Sequence, residues 1–124
     1  MKIEAIDTQR GDIYLVKIGG RLDADSCYQL EDEVDRLLEE KMKSIILDCS
    51  EVTYLSSSGL RVLLSISRQL EGKGDLVLVN LRDTVKKFIK AAKMEDLLIE
   101  ADTVEGAKGI LEAKKNRNQF TGGE

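Results

Sequence analysis

The feature that most constrains this chain is its alternation of short apolar runs with segments of helical period. Residues 13–19 (IYLVKIG), 44–49 (SIILDC) and 75–81 (DLVLVNL) are of strand length and rich in Ile, Val and Leu. Near-continuous apolar runs of this kind suit strands covered on both faces. Between them the period changes. Leu30, Val34, Leu37 and Leu38 share one helical face within 26–40. Leu60, Leu63, Leu64, Ser67 and Leu70 do the same within 57–71, and Gly72-Lys73-Gly74 stops that helix. Asp83 is placed to cap a further helix with Val85, Phe88, Ile89 and Ala92 aligned. Leu97-Leu98-Ile99 reads as a short last strand. Thr103 caps a last helix with Val104, Ala107, Ile110 and Leu111 inward.

Upstream, residues 2–7 (KIEAID) alternate apolar and polar, and Gly11 lies in the turn to 13–19, so these segments form a hairpin. Gly19-Gly20 is expected to end the second strand. Ser26 with Gln29 fits a capping box at the start of the first helix. The acidic residues of that helix, with Lys41 and Lys43 beyond its end, suit the helix dipole.

The resulting order, ββαβαβα(β)α, implies an α/β fold. Its sheet is small, mixed and mostly parallel, with right-handed crossovers and helices packed mainly on one face. The other face is expected to be partly open. At 124 residues the chain fits a single domain, read as 1–114, with a polar, glycine-ended tail over 115–124 expected to be disordered.

Composition narrows the function. Hydrophobic residues are 42% and aromatics only 4%, so the core is aliphatic. A net charge of −4 argues against nucleic-acid binding, which selects basic faces; the short run Lys114-Lys115-Asn116-Arg117 does not change this. No apolar run approaches the roughly 20 residues of a membrane span. The start MKIEAIDTQR has no apolar core of a signal peptide. A soluble, cytoplasmic protein is expected. There is no histidine, which removes Ser-His-Asp and Cys-His nucleophile systems. Cys27 and Cys49 make no metal pattern and read as buried, reduced thiols. No cofactor, metal or catalytic set is expected, and the chain does not read as an enzyme.

Topology then locates the residues of interest. Three strands joined by helices run parallel and share one rim at their C-terminal ends. Three loops are expected there: Gly20-Arg21-Leu22-Asp23, Ser50 to Ser58, and Asn80-Leu81-Arg82. Within the second, Ser56-Ser57-Ser58-Gly59 precedes a helix, where free N–H groups favour negative charge. Serine is also an ordinary helix cap and Gly59 an ordinary packing residue, so the pattern alone divides evenly between a structural turn and a phosphate site. Asp23 reads equally as a cap of the first helix or as a partner contact. Arg21 reads as a solvated charge or a contact to an acidic partner, and Tyr54 as core or as an interface anchor.

The run from Asp48 to Leu60 (DCSEVTYLSSSGL) resembles the signature of STAS domains of the bacterial anti-sigma factor antagonist type, roughly D-L-S-x-V-x-[FY]-[LIM]-D-S-[ST]-G-L. Gly20-Arg21-Leu22-Asp23 resembles the family's G-x-[LI]-D element. The order of elements is similar over about residues 2 to 112. The resemblance implies an anti-sigma factor antagonist. Ser57 would be phosphorylated by a partner anti-sigma factor with serine kinase activity. A serine phosphatase would reverse the modification, and the unmodified form would bind the anti-sigma factor and release a sigma factor. By the same resemblance Ser56, Ser58 and Gly59 complete the phosphorylation loop, and Asp23 belongs to the partner-binding element. Ser56 departs from the pattern, which has Asp before the acceptor. The alternatives are a constitutive STAS scaffold in a larger regulatory assembly, and a small-anion or nucleotide-binding domain using Ser56 to Gly59 as a cradle. The second lacks a P-loop.

Overall fold

The structure, a computed structural model, describes residues 1–8, 12–39 and 44–122. Strands β1 (Lys2–Asp7) and β2 (Ile13–Leu22) lead to helix α1 (Cys27–Glu39). Strand β3 (Ser44–Leu55), helix α2 (Ser57–Leu70), strand β4 (Leu76–Val79) and helix α3 (Asp83–Ala91) follow. A 3-10 turn (Glu95–Leu97), strand β5 (Ile99–Ala101) and helix α4 (Val104–Gly122) complete the chain. The five strands lie in sequence order in one sheet. β1 is antiparallel to β2, and the other three pairings are parallel.

Side-chain period decides the layers. Val16, Ile18, Ile45, Leu47, Leu76 and Leu78 point to one face, where they bury Leu30, Val34 and Leu37 of α1, Leu63 and Ile66 of α2, and Val85 and Ile89 of α3. Ile13, Ile46, Val77 and Val79 point to the other, where Ala107 and Leu111 of α4 cover them. Three helices on one side and one on the other is the expected arrangement. Toward β1 the second face is open: Lys2, Glu4 and Ile6 are exposed, while alternate residues Ile3 and Ala5 pack inward.

Several boundaries differ from the sequence expectation. β2 does not stop at Gly19-Gly20 but bends through them. Gly20 takes φ +97°, and register shifts against β3 fall on either side of it. An L residue rarely adopts that conformation, so glycine here permits a bulge rather than an end. β3 likewise continues through Ser50 to Leu55, with Val52 and Leu55 buried and Thr53 and Tyr54 exposed. Beyond Asp48, the last residue paired with β4, β3 pairs as a strand with β2 alone among the described residues. The two strands therefore project past the sheet as a ribbon.

In α2 the buried face is Gly59, Leu60, Val62, Leu63, Ile66 and Leu70. Leu64 and Ser67, expected inward, are only half-buried. α3 begins with Asp83 as its first residue, and Arg82 holds the cap position without a side-chain hydrogen bond to the helix's own N–H groups. Thr103 does cap α4, its Oγ1 accepting from the Gly106 N–H at 3.0 Å. The polar segment from 115, expected to fray, continues α4 as far as Gly122. The last strand begins at Ile99, and Leu97 lies in the 3-10 turn. Gly11, Lys41 and Lys43 lie outside the described residues.

Candidate functional site

The ribbon of β2 and β3 delivers the serine segment. Ser56 is the single residue between β3 and α2, and its extended backbone makes it the N-cap. Its Oγ accepts a hydrogen bond from the Gly59 N–H at 3.1 Å, and its own N–H donates to the Leu22 carbonyl at 3.0 Å. The cap thus ties α2 to the end of β2. Gly59 makes this junction possible. A Cβ there would lie 2.3 Å from the Leu22 carbonyl oxygen and 2.9 Å from both Leu22 Cγ and Leu55 Cδ1.

Ser57, the first residue of α2, is exposed, and among the described residues its hydroxyl makes no hydrogen bond. Ser58 is half-buried. The division of labour is clear: Ser56 holds the turn, and Ser57 is left facing solvent. The Gly59 N–H is taken by Ser56 Oγ, and the Leu60 N–H by the Ser56 carbonyl at 2.9 Å. The second of these is the first ordinary bond of the helix; of the free donors at the helix start, the Gly59 N–H is the one already occupied.

The Gly20-Asp23 element meets the serines through Leu22. Arg21 lies over the Tyr54 ring, its guanidinium carbon 4.1 Å from the centroid, and its Nε is 3.4 Å from Asp23 Oδ2. Arg21 and Tyr54 are cross-strand partners. Tyr54 is 42% exposed, so it is a surface residue and not core. Asp23 Oδ1 accepts from the Asp25 and Ser26 N–H groups and lies 3.2 Å from Ser26 Oγ, closing the turn into α1. Partial burial pushes the Asp23 carboxyl up. The Asp25 N–H, the Ser26 hydroxyl and N–H, and Arg21 together outweigh it and hold the acid below its ordinary range. The expected Ser26–Gln29 capping box is absent. Ser26 Oγ donates to the Arg21 carbonyl at 2.6 Å and accepts from the Asp23 N–H. The reason is that Asp23, three residues earlier, already supplies the capping oxygen.

Among the described residues the third expected loop makes no hydrogen bond to Arg21, Asp23 or Ser56 to Gly59, and reaches the second loop at Ser50. Asn80, at φ +59°, donates from Nδ2 to Asp48 Oδ1, which also accepts from the Ser50 N–H. Arg82 Nε donates to the Ser50 carbonyl at 2.9 Å. Desolvation pushes the Asp48 carboxyl up, but these bonds and nearby Lys17 bring it below the ordinary range. Ser50, Asn80, Arg82 and Lys86 line a shallow hollow of about 300 Å³. This Asp48–Asn80–Arg82 network was missed from sequence; its one signal was an asparagine directly after an apolar strand.

Cys49 is buried, as expected, and burial raises its thiol well above the ordinary value. Cys27 is only half-buried. Among the described residues there is no group of three or more potential metal ligands, and no helix is long and apolar enough to cross a membrane.

The class this defines is a small α/β module with an exposed serine at a helix start, presented at one end of a mixed sheet. The STAS domain model matches residues 4–107, and the chain belongs to the STAS domain family. It is 29% identical over 89 residues to BtrV of Bordetella bronchiseptica, named as a candidate anti-sigma factor antagonist, covering 71% of this chain and 77% of that one. It is 22% identical to the anti-sigma-B factor antagonist of Staphylococcus aureus, covering 79% and 92%. The fold is similar to that of the anti-sigma factor antagonist SpoIIAA. Its unphosphorylated form superposes with a TM-score of 0.71 at 19% identity, covering 90% of this chain and 97% of that one. Its phosphorylated form, from Bacillus, gives 0.66 at 18%, covering 88% and 99%.

Proposed function

We propose that this protein is an anti-sigma factor antagonist switched by phosphorylation of Ser57. The observation that carries the reading is the contrast between two adjacent serines: Ser56 is committed to the helix cap, whereas the Ser57 hydroxyl is solvent-facing and unbonded among the described residues. A kinase base can take the Ser57 proton as Oγ bonds to the γ-phosphorus of ATP and ADP leaves. The names of the relatives support the antagonist role, and the solved phosphorylated form of SpoIIAA supports a phosphate on this fold. The partner is an anti-sigma factor with serine kinase activity, and a serine phosphatase resets the switch. The domain itself is the non-catalytic member.

A phosphate adds about −1.5 to −2 charge at pH 7. The helix dipole favours it by about 0.3–1 kcal/mol, so the domain stays folded. The effect falls on the partner interface, for which the exposed Arg21–Tyr54 pair and Asp23 are the proposed contacts. A penalty of about 3 kcal/mol for an unpaired charge there weakens the complex on the order of 100-fold. The test is to incubate the protein with ATP and each candidate anti-sigma kinase from its genome, then read intact mass and map the site. A single phosphate at Ser57, lost in Ser57→Ala, supports the switch. Stable binding without phosphate would return the domain to a constitutive scaffold.

A further inference from the structure

We infer that Arg61 is the internal partner of a phosphate on Ser57, a positioning residue for that group; the inference rests on the phosphorylation reading above. Ser57 is the first residue of α2 and Arg61 follows four residues later, so the two lie on the same face one turn apart. Both are exposed. Among the described residues Arg61 makes no hydrogen bond and no ion pair, so its guanidinium has nothing to give up in turning toward residue 57. The nearby charges of the Gly20-Asp23 element are already matched, Arg21 with Asp23. Tyr54 lies under Arg21. The residue before the acceptor is Ser56, so no carboxylate stands beside the phosphate to compete for the arginine.

The order of the pair also matters. An anion at the start of a helix and a cation one turn later is the favourable orientation for an i,i+4 pair, because each sign agrees with the helix dipole. The planar guanidinium presents two N–H groups to phosphate oxygens, a geometry an ammonium does not match. Arg61 therefore favours the dianion and restricts the directions the phosphate presents to a partner. An i,i+4 pair corresponds to a pKa shift on the order of 0.3 unit.

The experiment installs phosphoserine at position 57 during translation, so no kinase is needed, and follows the second phosphate ionisation by 31P NMR titration. Arg61→Gln should raise that pKa by on the order of 0.3 unit relative to the parent. Arg61→Lys should retain part of the effect. Arg68→Gln, an equal charge change about 16 Å along the helix from residue 57, should leave it unchanged. An unchanged pKa in Arg61→Gln overturns the inference, as does an equal shift from Arg68→Gln, which would mark a diffuse charge effect. A shift specific to Arg61 in a protein that no candidate kinase modifies would uphold the pairing and sink the proposed function instead.

Discussion

Substituting Gly59 by alanine tests the junction that fixes the serine segment. The added Cβ would sit 2.3 Å from the Leu22 carbonyl oxygen, a backbone atom that no rotamer change can move aside. The start of α2 must shift outward by roughly an ångström to restore ordinary contact. Overpacking of this kind costs about 1–3 kcal/mol. The same shift stretches the hydrogen bond from the Ser56 N–H to the Leu22 carbonyl, a further loss of about 0.5–1.5 kcal/mol. Alanine returns up to about 1 kcal/mol in helix propensity. The balance is a destabilisation of about 0.5–4.5 kcal/mol, centred near 2.5. Gly109→Ala is the matched control. That exposed helical glycine has nothing within 4 Å of its built Cβ, and the change there should stabilise by about 0.5–1 kcal/mol. Urea unfolding, with the slope checked for constancy, measures both. If Gly59→Ala lost less than about 0.5 kcal/mol, or gained as Gly109→Ala does, the close approach of α2 to β2 would not exist as described.

Further outcomes follow from the same geometry. Ser56→Ala removes the N-cap and should cost about 1 kcal/mol, whereas Ser56→Asp should keep the cap; thermal or urea melts distinguish them. Asp23 has a folded pKa below its unfolded value, so its contribution is complete above about pH 3.9 and fades as pH falls through the lower folded value. The stability gap between the parent and Asp23→Asn should therefore close as acid unfolding curves are taken below pH 4, and a gap that widened would reverse the assignment. Of the two thiols, the half-buried Cys27 should react first with a thiol reagent and Cys49 only on unfolding, read by mass mapping of the native protein. Tyr54→Ala should change stability by no more than about 1 kcal/mol. The same change should weaken anti-sigma factor binding by about tenfold or more in calorimetry if Tyr54 anchors the interface.

The sequence exposed most of the fold because the strands and helices differ in hydrophobic period. The parallel strands read as apolar blocks, and Leu30, Val34 and Leu37 marked the face α1 buries. What it hid lies where a local signal competed with a tertiary one. Gly19-Gly20 looks like a terminator, yet a bulge uses the same freedom of backbone, and only the pairing with β3 decides between them. Ser50 interrupts an apolar run, which obscured that Val52 and Leu55 continue it on the buried side. Ser26 has the right neighbour for a capping box, but Asp23 competes for the same N–H. At the rim, the sequence placed Ser56 to Gly59 at a helix start but could not divide their roles. That division depends on the Leu22 carbonyl, a backbone atom thirty-odd positions away in the chain. The Arg21–Tyr54 stacking arises from the same long-range register.

Beyond Asp48 no third strand pairs with β2 and β3 among the described residues, and the crossover reaches them through the Arg82 side chain at the Ser50 carbonyl, so a pull applied at the tip loads mainly one ladder. Because Leu22, Val52 and Leu55 of this extension belong to the buried core, a protein gripping the tip would act directly on the aliphatic interior.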